Sequence, residues 1–251
     1  MPTSALHVAR TGLEAQDARM RVIANNLANV GTTGYKRDRA NFATLAYQDA
    51  RVAGQQSSGE TAYATGLNLG TGVGVQSTTR IESQGSMQNT DNALDLALDG
   101  DGYFQVALPG GQTGYTRAGN FSRSAEGQLV TAQGFVVQPP ISIPEGASAI
   151  TIAADGTVSA QVASQAEATQ LGQITIASFA NPAGLQARGD NFLLETGASG
   201  PAQVGVAGEN GRGNVRQGML EASNVNVVEE LVDMIECQRA YEINSKMISA
   251  V

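Results

Sequence analysis

The chain of 251 residues has one cysteine, one histidine, no tryptophan and only two lysines. A single cysteine excludes an internal disulfide framework, and one cysteine with one histidine excludes Cys/His zinc sites and multi-histidine metal centres. Cationic side chains are scarce: 15 Lys+Arg stand against 23 Asp+Glu, for a formal net charge of −8. That balance argues against nucleic acid as a partner, because phosphate contacts need clustered Lys and Arg. Long apolar runs are missing too. No stretch approaches the roughly eighteen residues of a membrane-spanning helix, so the chain reads as soluble and membrane insertion is not expected. Near the start, Arg10 and Glu14 interrupt any apolar run before it reaches secretory-signal length, which leaves a cytoplasmic protein or one exported without cleavage. Charged residues make up 15% of the chain and glycine occurs 30 times, a composition for a turn-rich fold of one large domain or two modest ones.

What is present differs between the ends and the middle. Leu6, Leu13, Met20 and Leu27 fall seven apart, with Ile23 and Val30 three beyond the last two, which predicts a helix over 5–30 with a stripe of coiled-coil period. Thr3 or Ser4 can cap its start and Gly31 its end, while Gly12 weakens the first turns enough to allow a start near Thr11. At the other end, Asn226 with Glu229 forms a cap signature ahead of Val227, Leu231, Met234, Tyr241 and Ile248. The sequence reaches Val251 inside this pattern, with no capping glycine. Residues 1–39 carry a net charge of +3 and residues 221–251 a net charge of −4, so the two helices are expected to lie together. A helix of 26 residues is about 39 Å long, against a radius of gyration of about 16 Å for a body of roughly 190 residues. Either the pair projects from that body with apolar stripes that call for partner helices, or both helices fold back on it.

The middle reads as antiparallel β-structure. Leu94, Leu96 and Leu98 alternate with polar or small residues, then Asp99-Gly100-Asp101-Gly102 leads into Phe104, Val106 and Leu108, which predicts a hairpin. Short strand-like runs recur at 128–137, 141–143, 150–152 before an Asp155-Gly156 turn, 174–176 and 192–194. Between helix and β-region, 48–80 is rich in Gln, Ser, Thr and Gly and is expected to be extended or loosely ordered.

Few residues offer chemistry. From Asp99, the fifth position of a calcium loop is Tyr103 and the twelfth is Gly110, so the two aspartates read as turn residues. The run Gly70-Thr71-Gly72-Val73-Gly74 has its third glycine one position early for a dinucleotide fingerprint and reads as a strand with close backbone approach. His7 would have to serve any triad alone, and Cys237 beside Met234 and Tyr241 reads as a small buried thiol. No cofactor is expected. Asp95 and Glu126 could pair for glycoside cleavage only at a separation that sequence does not give.

Two longer motifs are more specific. Ala24-Asn25-Asn26-Leu27-Ala28-Asn29-Val30 followed by Gly31-Thr32-Thr33-Gly34-Tyr35-Lys36-Arg37 resembles the N-terminal signature of flagellar rod and hook proteins. Glu221-Ala222-Ser223-Asn224-Val225-Asn226-Val227, continuing to Gln238-Arg239-Ala240-Tyr241-Glu242, resembles their C-terminal signature. Leu96–Val106 and Tyr115–Phe121 are similar to the same family, and the insert 47–74 is similar to a segment found in its distal-rod branch. The family's chains typically continue past the position of Val251.

The resemblance implies an α+β fold. N- and C-terminal helices (1–33 and 222–251) pair as a coiled-coil stalk and form the inner tube of a filament. An extended connecting region (34–92 and 203–221) follows, and a central antiparallel β-domain (93–202) lies outermost. It further implies a structural axial component of the bacterial flagellar basal body, not an enzyme, polymerising into a hollow shaft that carries motor torque and encloses an export channel. Expected partners are further copies in a helical homo-oligomer, proximal rod proteins, the hook protein, the peptidoglycan-layer and outer-membrane rings, and the flagellar type III export apparatus. The expected location runs from periplasm to outer membrane. Leu6, Leu13, Met20, Ile23, Leu27, Val227, Leu231, Met234, Tyr241 and Ile248 are the expected subunit contacts. Asn25, Asn26, Asn29, Gly34, Tyr35, Asn224, Asn226 and Arg239 are the motif residues. Another rod or hook-family protein, and a β-rich enzyme acting on the cell wall, are the alternatives.

Overall fold

Helix α1 spans Pro2–Ala28 and helix α2 spans Val227–Ala250, in a computed structural model that describes residues 2–51, 56, 64–162 and 168–250. The chain divides into two units, one of residues 1–28, 38–80 and 226–251, the other of residues 29–37 and 81–225. No helix among the described residues is long and apolar enough to cross a membrane.

In the first unit, α1 begins at Pro2 rather than at a Thr3 or Ser4 cap, and it runs through Gly12 without a later start at Thr11. The reason is packing. A Cβ at position 12 would sit 3.1 Å from Nδ2 of Asn244 on α2, so the glycine lies at a close helix–helix approach that overrides its low helix propensity. Gly31 does not stop the helix either: α1 ends at Ala28 and continues into a turn in which Thr32 N donates to Asn29 O. The expected cap of α2 is present, with Val228 N donating to Oδ1 of Asn226 at 3.1 Å.

Residues 48–80 are more regular than their composition implied. Asp38–Thr44 pairs antiparallel with Val73–Arg80, and Tyr47–Arg51 with Leu67–Gly70. Few large apolar residues are needed because these ribbons are only partly covered, and backbone pairing with β-branched Val73, Val75, Thr78 and Thr79 suffices to define them. Gly72 adopts φ +122 and leaves no room for a Cβ beside Thr11, whose Oγ1 accepts a hydrogen bond from Val73 N at 3.3 Å. The expected close backbone approach is therefore made against α1. Within the expected insert, 52–55 and 57–63 lie outside the described residues.

The second unit holds the apolar core. A seven-stranded sheet runs Gln186–Gly189, Phe192–Leu194, Thr113–Thr116, Tyr103–Ala107, Thr175–Ser178 and Gln203–Val206, with Val137–Gln138 also pairing to Tyr103–Ala107. A three-stranded meander, Ala147–Ile152, Thr157–Val162 and Thr169–Gln173, includes the expected Asp155-Gly156 turn. The hairpin expected across 99–102 does not form. Leu96–Asp99 pairs with Asn214–Gln217, whereas Tyr103–Ala107 pairs with Thr113–Thr116. Gly100 (φ +116) and Gly102 (φ +134) turn the chain from one sheet into another, and Leu96, Ala97 and Leu98 are all fully buried, so the apparent alternation had no solvent face. The main core packs Leu96, Leu98, Phe104, Phe121, Leu129, Val137, Ile141, Ile174 and Ile176 together, and Phe104 meets Phe121 edge to face at 5.1 Å.

Candidate functional site

Four side-chain contacts define how the helices of the first unit meet. Gly12 approaches Asn244, Gln16 meets Cys237, Arg19 Nη2 pairs with Asp233 Oδ1 at 3.0 Å, and Asn26 Nδ2 donates to Glu230 Oε1 at 3.2 Å. As the residue number rises on α1 it falls on α2, so the helices are antiparallel. Opposite charges on the two ends had pointed to this pairing, and Arg19–Asp233 is one place where they meet. The contacts themselves are polar, with Ala9, Ala15 and Ile23 as buried apolar residues of α1 and Cys237 of α2.

Of the predicted contact residues, Ile23 is buried. Leu6, Leu13, Met20, Leu27, Met234 and Ile248 are half-buried, and Val227, Leu231 and Tyr241 are exposed. A second row, of which the heptad reading picked out only Leu231, lies on α2. Val228, Leu231, Val232 and Ile235 follow an i, i+3, i+4, i+7 pattern and are all exposed, Val228 at 70% and Ile235 at 51%. At about 100° per residue they centre roughly opposite Glu230 and Cys237, the residues that face α1. The helix thus carries one face for its partner in the chain and another, aliphatic, toward solvent. Ile243 and Met247 extend the exposed apolar surface near its end. Two superposed patterns on one helix conceal each other in a scan for a single stripe.

The motif residues are mostly structural anchors. Asn26 is 2% exposed; its Oδ1 accepts from Asp38 N and its Nδ2 donates to Asp38 O, both at 2.9 Å. Asn226 caps α2, while Asn25 and Arg239 lie on the surface. In the second unit, Asn224 Oδ1 accepts from Arg37 N and its Nδ2 donates to Ile81 O and Ser83 O. Asn29 Oδ1 accepts from Thr32 Oγ1, and Tyr35 O accepts from Asn224 N. Gly34 adopts φ +68, and a Cβ there would fall 2.6 Å from the Arg117 carbonyl carbon, so only glycine fits.

The motif reading assigned no role to Lys36, Glu221 or Arg117, which form a buried charge cluster. Lys36 Nζ binds Glu221 Oε1 at 2.5 Å and Ser83 O at 2.9 Å, while Arg117 Nη1 lies 3.4 Å from Glu221 Oε2 and Gly85 N donates to Oε1. Burial pushes the Lys36 ammonium below its ordinary pKa, against the opposing pull of Glu221. One fully buried carboxylate therefore joins the segments around 36, 85, 117 and 221.

Residues with catalytic potential are occupied otherwise. Cys237 Sγ donates to Gln16 O at 3.1 Å and burial raises its pKa, the opposite of what activates a thiolate nucleophile. Asp99 is held by Arg216 at 2.9 Å, and His7 is exposed on α1.

Terminal helices that meet each other, with an exposed aliphatic row on α2 and a β-rich region between them in the chain, agree with the architecture that the rod and hook resemblance implies. Comparison with known proteins gives the same class. Residues 6–36 match the model described as "Flagella basal body rod protein", 97–160 "Flagellar hook protein FlgE/F/G D1 domain", and 216–251 "Flagellar basal body rod FlgEFG protein C-terminal". The chain is 50% identical to the flagellar basal-body rod protein FlgG of Buchnera aphidicola subsp. Acyrthosiphon pisum, over 97% of this chain and 94% of the relative. To FlgG of Caulobacter vibrioides it is 48% identical over 98% and 94%, and to that of Bacillus subtilis 38% over 97% and 93%. The chain belongs to the flagellar basal-body rod protein family. It is a structural component of the distal rod, not an enzyme.

Proposed function

We propose that copies of this chain stack into a helical, hollow shaft, and that the exposed row Val228, Leu231, Val232 and Ile235 is the surface that drives the stacking. The observation that carries this reading is that row itself, an aliphatic face left in water on a helix whose other face is occupied. Each large apolar side chain buried between copies contributes about 1.5–3 kcal/mol, and repetition along a lattice multiplies the gain. A head-to-tail contact that does not close produces a filament. In this reading the terminal helices (1–33 and 222–251) pair as a coiled coil and form the inner tube around an export channel. Residues 34–92 and 203–221 connect, and 93–202 face outward. Leu6, Leu13, Met20, Leu27, Met234, Tyr241 and Ile248 contribute contacts beside the row.

The shaft transmits motor torque from proximal rod proteins to the hook. It turns within the peptidoglycan-layer and outer-membrane rings, and its subunits travel through the flagellar type III apparatus. The insert 47–74 bridges neighbouring copies and stiffens the shaft; Tyr47, Leu67 and Leu69, all exposed on its described ribbon, supply apolar area for that contact. Electron microscopy of the concentrated full chain tests the assembly. Tubes are expected from the parent and none from Leu231→Glu or Ile235→Glu at equal concentration. A parent chain that stays monomeric at every concentration overturns the reading.

A further inference from the structure

We infer that Asn26 and Glu230 are a register pin: they fix the axial position and rotation of α2 on α1, and so decide which face of α2 is left outward. The inference deepens the assembly reading and rests on it only for its consequence, since the pin itself is intramolecular. Three observations carry it. First, both residues are almost fully buried, at 2% and 4% exposure, in a seam whose named cross-helix contacts are all polar. The residues that meet at Gly12–Asn244, Gln16–Cys237 and Arg19–Asp233 are themselves polar or small, so these three contacts contribute little aliphatic burial that would discriminate between registers.

Second, the Asn26 amide is committed at both ends. Its Oδ1 and Nδ2 clamp the backbone N and O of Asp38, which prevents the amide from turning, and the same Nδ2 reaches Glu230 Oε1 at 3.2 Å and Oε2 at 3.3 Å. The donor aimed at α2 is therefore held by α1 and the first strand together. Third, a slip of about one turn would place Glu230 against Ile23 or Asn29 instead of Asn26. Opposite Ile23, a residue that is 4% exposed, the carboxylate would be buried against methyl groups. A single buried polar residue in an otherwise permissive seam is a known way for helices to specify register at some cost in stability. With the pin in place, Val228, Leu231, Val232 and Ile235 lie on the side away from α1. A rotated or slipped α2 would turn part of that row inward.

Cys237 provides the readout, because it is the only cysteine in the chain and touches Gln16. In the assembled full chain, a cysteine is introduced singly at Gln16, which Cys237 touches, or about two turns away at Ile23, and oxidised with diamide. The intrachain disulfide to Cys237 is then followed as a single-chain band on non-reducing gels. The parent background should favour position 16 over position 23 by roughly tenfold or more, the ratio that corresponds to about one unsatisfied buried polar group. In Asn26→Leu/Glu230→Leu, which keeps a buried apolar pair, that preference should fall toward unity. Glu230→Gln should preserve it, because the amide oxygen accepts the same hydrogen bond, whereas Asn26→Ala should lose most of it. An unchanged preference in both the leucine pair and Asn26→Ala overturns the pin. So does an equal loss in Glu230→Gln and Asn26→Ala accompanied by equal loss of helix content, which would mark a general packing role. Failure of the parent chain to assemble would instead remove the assembly reading, and the same ratio measured on the free chain would then judge the pin alone.

Discussion

The two units treat their apolar side chains in opposite ways. All three apolar core clusters among the described residues lie in the second unit, built from residues between 94 and 215. Of the sixteen large hydrophobic residues left exposed among the described residues, fourteen lie in the first unit and two, Val30 and Val204, in the second. One unit satisfies its hydrophobic demand within the chain; the other keeps much of it in water. An isolated globular protein gains nothing from the second arrangement, whereas a subunit that completes its core with neighbours requires it. In the proposed shaft, the difference separates the surface used for folding from the surface left for neighbouring copies.

The comparison can be broken most directly by cutting into each kind of apolar surface. Phe104→Ala, in the main core, should destabilise the isolated chain by about 3–5 kcal/mol, read as a lowered denaturant midpoint. Glu221→Leu should cost a similar or slightly smaller amount, about 3–5 kcal/mol, because it leaves Lys36 and Arg117 buried without their shared carboxylate. Ile235→Ser, by contrast, should change the stability of the monomer by less than about 0.5 kcal/mol, since the side chain is already solvated, while assembly measured by sedimentation falls sharply. If Ile235→Ser destabilised the monomer as Phe104→Ala does, the two units would not differ in kind.

How much of this was legible in the sequence follows the same division. Periodicity located both helices, and the Asn226 cap was readable because a cap is local chemistry, settled within a few residues. The β-region was readable as a class, through its turns and short apolar runs. Its pairing was not: Leu96–Asp99 joins Asn214–Gln217, more than a hundred residues away, and the intervening glycines looked like a hairpin turn when they are a passage between sheets. Long-range pairing leaves no mark on local spacing. Gly12 misled for a related reason, since its justification is Asn244 on the other helix. On α2, the heptad pattern included the exposed Leu231 and Tyr241 but passed over the exposed Val228, Val232 and Ile235, because α2 carries two faces and a single-stripe scan finds only one. The charge cluster of Lys36, Arg117 and Glu221 was invisible, as its members are widely separated and each looks like a surface residue.

The smallest expected effect lies in the junction of α1 with its first strand, and it sharpens the comparison by giving the first unit a titration of its own. Burial raises the pKa of Asp38 above the ordinary 3.8, and Arg80, with Nε at 4.0 Å from Oδ1, opposes the shift without cancelling it. The folded state thus holds this proton more tightly than the unfolded chain. Its contribution is fully present below 3.8, where both states are protonated, and is lost as pH rises through the folded value. Asp38→Asn keeps a neutral group of the same size and removes the titration, so the difference in stability between parent and variant should widen in the variant's favour as pH rises across that window. Thermal melts followed by helix circular dichroism at several acid pH values would measure it. Parallel profiles for the two chains would mean that the carboxyl of Asp38 is as solvated as an ordinary surface acid.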